Sequence, residues 1–156
     1  MSNRRQVRER TMQALYAFEL GGGDAKHIIS SVLVPEIDDD TTRVFAEQLF
    51  LRSLDRRDEA DELIVQHTEN WEVSRIALID RLLLRMAIVE ILTFEDIPPK
   101  VSINEAIEVA KKFSTAKSGK FINGILDAVV LTLARDGRLK KSGRGLVGLD
   151  SIEDRA

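Results

Sequence analysis

Hydrophobic residues recur every three or four positions along most of the chain. Near the start, Val7, Thr11, Ala14, Leu15 and Phe18 fall on a single stripe of a helix, which would face the interior. The alternation of apolar and polar residues that marks a strand never persists. The pattern therefore predicts an all-α fold with about seven helices.

Glycine and proline mark the ends of the predicted helices. Three glycines at 21–23 end the first helix, and Pro98 with Pro99 ends a nearly apolar stretch at 76–94. Because that stretch is apolar all round, it should form the central helix of the core. A capping-box pattern, Ser102 with Glu105, predicts the start of the next helix.

The composition changes near the C-terminus. Gly, Lys, Ser and Arg dominate after Arg135. Such a composition is typical of flexible segments. We expect one helical domain at 1–135, followed by a flexible polar tail at 136–156.

Charge is segregated along the chain, although the formal net charge is only −3. The first 16 residues carry four arginines and one acid, and 99–123 carries five lysines and two acids, whereas 36–72 is acidic. Segregation of this kind favours a basic face that binds a polyanion. The alternative, in which these charges only solvate helix surfaces, stays open from the pattern alone.

Motifs for catalysis or cofactor binding are weak. The chain has no cysteine, and His27 and His67 lack a partner pattern for a metal. The letters GRGLVG at 143–148 match a dinucleotide fingerprint, but that motif needs a preceding strand and a following helix. We expect no enzyme activity, no cofactor and no metal.

The sequence also bears on location. The N-terminus lacks the apolar run of a signal peptide, and no apolar stretch approaches the ~18 residues that a membrane-spanning helix needs. We expect a cytoplasmic protein without a membrane partner.

Three segments carry a specific likeness to a known family. The segment at 4–20 reads RRQVRERTMQALYAFEL, and the segment at 80–90 reads DRLLLRMAIVE. The third reads IPPKVSINEAIEVAKKF at 97–113 and continues as KFINGILD at 120–127. These segments resemble the NusB family of bacterial antitermination factors, and the likeness covers most of 4–135.

The resemblance implies a fold and a function. The family fold consists of two small packed helical bundles, and the boundary between them would lie near 72–80. Family members bind boxA-type single-stranded RNA of ribosomal RNA leader transcripts together with ribosomal protein NusE. The complex joins the RNA polymerase elongation complex and suppresses premature termination.

Carried onto this chain, the resemblance implies two sets of binding residues. Cations would contact phosphates, and polar or aromatic groups would contact bases. The expected RNA-binding residues are Arg4, Arg5, Arg8, Gln13, Tyr16, Lys117, Lys120 and Asn123. The expected NusE-binding residues are Ile76, Asp80, Leu83 and Ala87.

Some alternatives stay open. Tyr16 and Asn123 could be structural, and so could Leu83 and Ala87, which are apolar positions on the central helix. The same helical domain occurs fused to ribosomal RNA cytosine methyltransferases, but no methyltransferase segment is recognisable here. A purely protein-binding helical adaptor is the second alternative.

One position departs from the family pattern. Many NusB-like sequences carry an acidic residue in the turn before the last helix, where this chain has Lys117 in the sequence STAKSGK. If this turn borders the RNA, Lys117 would attract phosphate where an acid would repel it. The expectation is that RNA binding by this chain depends less on NusE.

Overall fold

The computed structural model describes residues 3–68 and 73–156, and within these ranges the chain forms eight α-helices and no strand. The prediction of an all-α fold is therefore confirmed. The sequence pattern also predicts a helix from about Asp58 to Trp71, and Trp71 lies outside the described residues. Across the described residues, no helix combines the length and hydropathy that crossing a membrane requires.

The first bundle is formed by the N-terminal half of the chain. Its helices are α1 (Arg4–Gly21), α2 (Ala25–Ile28), α3 (Asp40–Asp55) and α4 (Arg57–Gln66), with a π-helical turn after α2. The side chain of Asn3 caps α1 by accepting a 2.8 Å hydrogen bond from the Gln6 amide. Gly22 ends α1 with φ of 64°, a conformation that glycine adopts without steric cost.

The second bundle consists of α5 (Leu78–Thr93), α6 (Pro99–Phe113) and α7 (Ala116–Arg135). Helix α5 contacts α1, α3 and α4 of the first bundle as well as α6 and α7. Its side chains from Leu82 to Ile91 are all buried. This confirms the prediction that the apolar stretch forms the central helix of the core.

The predicted capping box at Ser102 is wrong. Helix α6 begins at Pro99, three residues earlier, because proline has no N–H to leave unsatisfied and its fixed φ suits the first helical position. Ser102 consequently lies inside the helix. Its hydroxyl donates a 2.8 Å hydrogen bond to Glu90 Oε1 instead of capping.

The structure contains helical turns in the segment at 136–156, for which the composition predicts a flexible tail. Residues 137–155, called the C-terminal arm below, contain a 3₁₀ turn at Gly143–Leu146 and helix α8 (Leu149–Arg155), which packs on α7. Leu139 and Ile152 pack against the core, and Arg155 forms a 2.8 Å ion pair with Asp127. A few apolar side chains spaced along a polar segment therefore suffice to dock it.

Candidate nucleic-acid interface

Helix α1 presents the predicted arginines to different surroundings. Arg4 is exposed and its guanidinium lies 4.4 Å from the centre of the Phe45 ring, close enough for a cation–π contact. Arg5 is half exposed and makes two hydrogen bonds to Glu105, of 2.7 and 3.0 Å, which raise the pKa of Arg5 above its usual value. Arg4 is thus the freer of these two cations.

Arg8 faces the interior and not the solvent. Its side chain is 3% exposed and forms a bidentate ion pair with Glu90, which is 1% exposed and also accepts from Ser102. Arg8 lies one turn from Arg4, but its side chain points between the helices. The expectation that Arg8 contacts RNA conflicts with this placement, because its charge is already used to join α1 to α5.

A groove runs beside the middle of α1. It has a volume of about 480 Å³ and is lined by Gln6, Arg10 and Gln13 of α1 and by Lys112 and Phe113 of α6, among others. The two cations that line this groove, Arg10 and Lys112, are each paired with a carboxylate. Lys112 lies 2.9 Å from Glu9, and Arg10 bonds to Glu36 at 2.9 Å and to the Pro35 carbonyl oxygen. The predicted residue Gln13 is exposed at this groove.

Tyr16 continues the same face of α1 one turn beyond Gln13. Its side chain is 39% exposed, and Leu20, a further turn along, is 64% exposed. Helical spacing of three and four residues places these three side chains in a row. The placement favours Tyr16 as an accessible aromatic surface over a packed core residue.

The other predicted RNA-binding residues lie on α7. Lys117, Lys120 and Asn123 are all exposed, and no carboxylate within the described residues lies within salt-bridge distance of either lysine. Asn123 lines a cleft of about 260 Å³ together with Lys100 and Asn104 of α6. The structure therefore places Asn123 beside two polar residues that the sequence motifs did not assign to the RNA.

Asp80 is a buried hydrogen-bond acceptor at the base of the turn between α6 and α7. Its carboxylate accepts from Ser114 at 2.8 Å and from Ser118 at 2.9 Å, and it is 7% exposed. Lys117 lines the same shallow cleft of about 250 Å³. Asp80 therefore supports the turn that carries Lys117, and the cleft brings together an expected NusE-binding residue and an expected RNA-binding residue.

The other expected NusE-binding residues are buried as well. Ile76 is 3% exposed, Leu83 is fully buried and Ala87 is 2% exposed. Leu83 and Ala87 belong to the core contributed by α5. Neither offers a side chain to a partner, because burial within the monomer already covers them.

Sequence reasoning missed the residues around the groove. Arg10 and Lys112 lie in the two basic segments, and their convergence depends on the packing of α1 against α6. The only signal was the charge segregation, which does not say which blocks meet in space.

The chain matches the family model for the NusB family over residues 5–131. The chain belongs to the NusB family. A transcription antitermination protein NusB from Salinibacter ruber is 54% identical, with 100% of this chain and 98% of the relative covered. A protein of the same name from Chloroherpeton thalassium is 44% identical over 98% of this chain and 73% of its own length.

Solved structures of NusB proteins share the fold. The T. maritima NusB structure has a TM-score of 0.76 and 35% identity, covering 82% of this chain and 90% of that one. A chain from a crystal structure of antitermination factors NusB and NusE in complex with dsRNA has a TM-score of 0.73. It is 24% identical and covers 81% of this chain and 94% of that one, so it supports the fold alone.

Proposed function

We propose that this NusB-family chain is a transcription antitermination factor with a binding role and no catalytic one. It would bind boxA-type single-stranded RNA of ribosomal RNA leader transcripts together with NusE, and the complex would join elongating RNA polymerase. The names of its relatives support antitermination, and membership of the NusB family supports this pair of partners.

The exposed polar residues of α1 are the observation that carries the proposal. Gln13 lines a groove that also contains Arg10 and Lys112, Tyr16 is exposed one turn further along, and Arg4 is exposed at the start of the helix, outside this groove. Guanidinium groups bind phosphates, amides bind base edges, and an exposed tyrosine ring is a stacking platform. This combination suits an unpaired strand whose bases are free to stack.

The test is binding of a fluorescent boxA RNA to the full chain over a series of salt concentrations. Arg4→Ala with Arg5→Ala should weaken binding and reduce the salt slope, by roughly 0.7 for each phosphate that the variant no longer neutralises. Arg8 is left in place because its removal would disturb the core. Lys26→Ala, which removes a cation from α2, is the matched control.

An equal effect of Lys26→Ala would show that only net charge matters. Absence of RNA binding by the wild-type chain, both alone and with NusE, would leave the protein-binding adaptor as the function. Tyr16→Ala adds a readout that charge does not influence, because stacking on an aromatic side chain contributes roughly 1–3 kcal/mol per base.

The proposed NusE contact is the surface at the start of α5, where Ala77 is exposed above the buried Asp80. Ala77→Arg should block NusE while RNA binding by the chain alone persists. Gln66→Arg, on exposed α4 surface, is the control. Failure of NusE to bind either variant, or normal binding to both, would contradict this placement. Substitution of Asp80 is unsuitable, because it would disturb the turn that carries Lys117.

Lys117 tests how far RNA binding depends on NusE. It is exposed near the start of α7, where a cation can approach phosphate. Lys117→Asp should lower RNA affinity mainly when NusE is absent, by about 1 kcal/mol because the site is solvated. Equal affinity of both proteins, with and without NusE, would remove Lys117 from the RNA surface.

A further inference from the structure

The C-terminal arm holds its basic residues in fixed positions. The arm docks on the turn between α5 and α6. The Ser142 backbone amide donates a 2.9 Å hydrogen bond to the Glu95 carbonyl, and the side-chain amine of Lys141 donates a 2.9 Å hydrogen bond to the Phe94 carbonyl. Gly145 approaches the Glu95 carbonyl so closely that a Cβ there would lie 1.8 Å from the oxygen. Arg144, between these anchors, is exposed.

Docking of the arm creates a cleft beside the N-terminus of α1. Its volume is about 840 Å³, which is within the range of small-ligand sites. Arg4 stands on the α1 side and Arg144 on the arm side, and the apolar surface comes from Val101 and Val147, which are 41% and 66% exposed. Two cations thus line one cleft together with exposed apolar groups.

The charges in the cleft leave these two arginines available. Glu105 also lines it, but its carboxylate is paired with Arg5. Asp96 is the remaining acid at the cleft. Neither Arg4 nor Arg144 has a carboxylate within 4 Å in the described parts of the chain. The cleft therefore keeps an excess of one positive charge after Asp96 is counted.

We propose that this cleft binds a nucleotide of single-stranded RNA, with its phosphate between Arg4 and Arg144 and its base or ribose on Val101 and Val147. Guanidinium groups match phosphate geometry, and the apolar surface suits the face of an unpaired base. The proposal rests on the proposed RNA-binding function. It extends the RNA path from α1 onto the C-terminal arm.

The test compares two cations of the same arm. Arg144→Ala should weaken binding of a fluorescent boxA RNA by about three- to tenfold and lower the salt slope by roughly 0.7, as expected for one neutralised phosphate. Lys140→Ala is the matched control, because Lys140 is exposed on the arm but does not line the cleft. It should bind RNA as the wild type does.

If both variants weaken RNA binding equally, the proposed site in the cleft is wrong, because the arm would then attract RNA only through its overall positive charge. If Arg144→Ala binds RNA as the wild type does, while Arg4→Ala with Arg5→Ala still weakens binding, the proposed site in the cleft is wrong and the proposed function stands. Photocrosslinking of RNA that contains 4-thiouridine gives a second readout. A crosslink that maps to Val147 and disappears in Arg144→Ala is expected, and its absence from the wild type would contradict the proposal.

Discussion

The first half of α1 and the C-terminal arm are both basic, but their ion pairs differ in burial. In α1, Arg8 pairs with Glu90 in the core and Arg5 with Glu105 at the surface, residues 82 and 100 positions away in the chain. In the arm, Arg138 and Arg155 form pairs only at the surface, with Glu59 and Asp127. Arg4 of α1 and Arg144 of the arm have no carboxylate within 4 Å among the described residues. A basic cluster in a sequence therefore does not reveal which of its charges are free, because the partners come from distant helices.

The largest expected effect comes from the buried pair of α1. Arg8→Met leaves the carboxylate of Glu90 buried without its cation, and removing one partner of a buried pair costs about 3–5 kcal/mol. Urea unfolding followed by circular dichroism measures the free energy of unfolding. Adding Glu90→Gln should recover much of the stability. If the double variant is as unstable as Arg8→Met alone, an unpaired charge is not the cause.

The same comparison shows how far the sequence carried the interpretation. Periodicity located the helices and the central position of α5, since burial follows directly from an apolar pattern. It could not separate Arg8 from Arg4 and Arg5, because orientation between helices depends on packing. The docking of the C-terminal arm was not visible in the sequence for the same reason. A composition rich in Gly, Lys and Ser does not show that Gly145 fits against the Glu95 carbonyl.

A second prediction releases the arm without changing any charge. The methyl group of Gly145→Ala would clash with the Glu95 carbonyl oxygen, and overpacking of this kind costs about 1–3 kcal/mol. The arm should detach locally, so hydrogen exchange of the Ser142 amide should accelerate. Gly21→Ala, whose Cβ would meet nothing within 4 Å, is the control and should leave Ser142 unchanged. Persistent protection of Ser142 in Gly145→Ala would show that the arm does not dock through Gly145.

The third prediction concerns the surface pair of α1. Arg5 is half exposed, and Arg5→Ala should lower the free energy of unfolding only slightly, because solvent screens the ion pair with Glu105. The effect should shrink further at high salt. Urea unfolding at low and high salt measures it. A destabilisation comparable to that of Arg8→Met would mean that the two arginines do not differ as their burial indicates.

A pH dependence of arm docking is expected at Lys141. Burial lowers the pKa of Lys141 to about 8, against opposing contributions from Glu90, Asp96 and Glu95. The folded chain therefore binds this proton less tightly than the unfolded chain, whose lysine has a pKa near 10.5. Between these two values the unfolded chain holds more protons, so stability contributed at Lys141 should rise as pH increases from about 8 towards 10.

The measurement must isolate Lys141 from the other ionisable groups of the chain. The difference in Tm between the wild type and Lys141→Met, followed from about pH 7 to about pH 10, removes the contributions that the two proteins share. The Tm of the wild type should increase relative to that of Lys141→Met as pH rises. The reason is that neutral Lys141 no longer carries a desolvated charge and still donates a hydrogen bond to the Phe94 carbonyl. A difference in Tm that is constant with pH would show that Lys141 stays solvated and does not anchor the arm at Phe94.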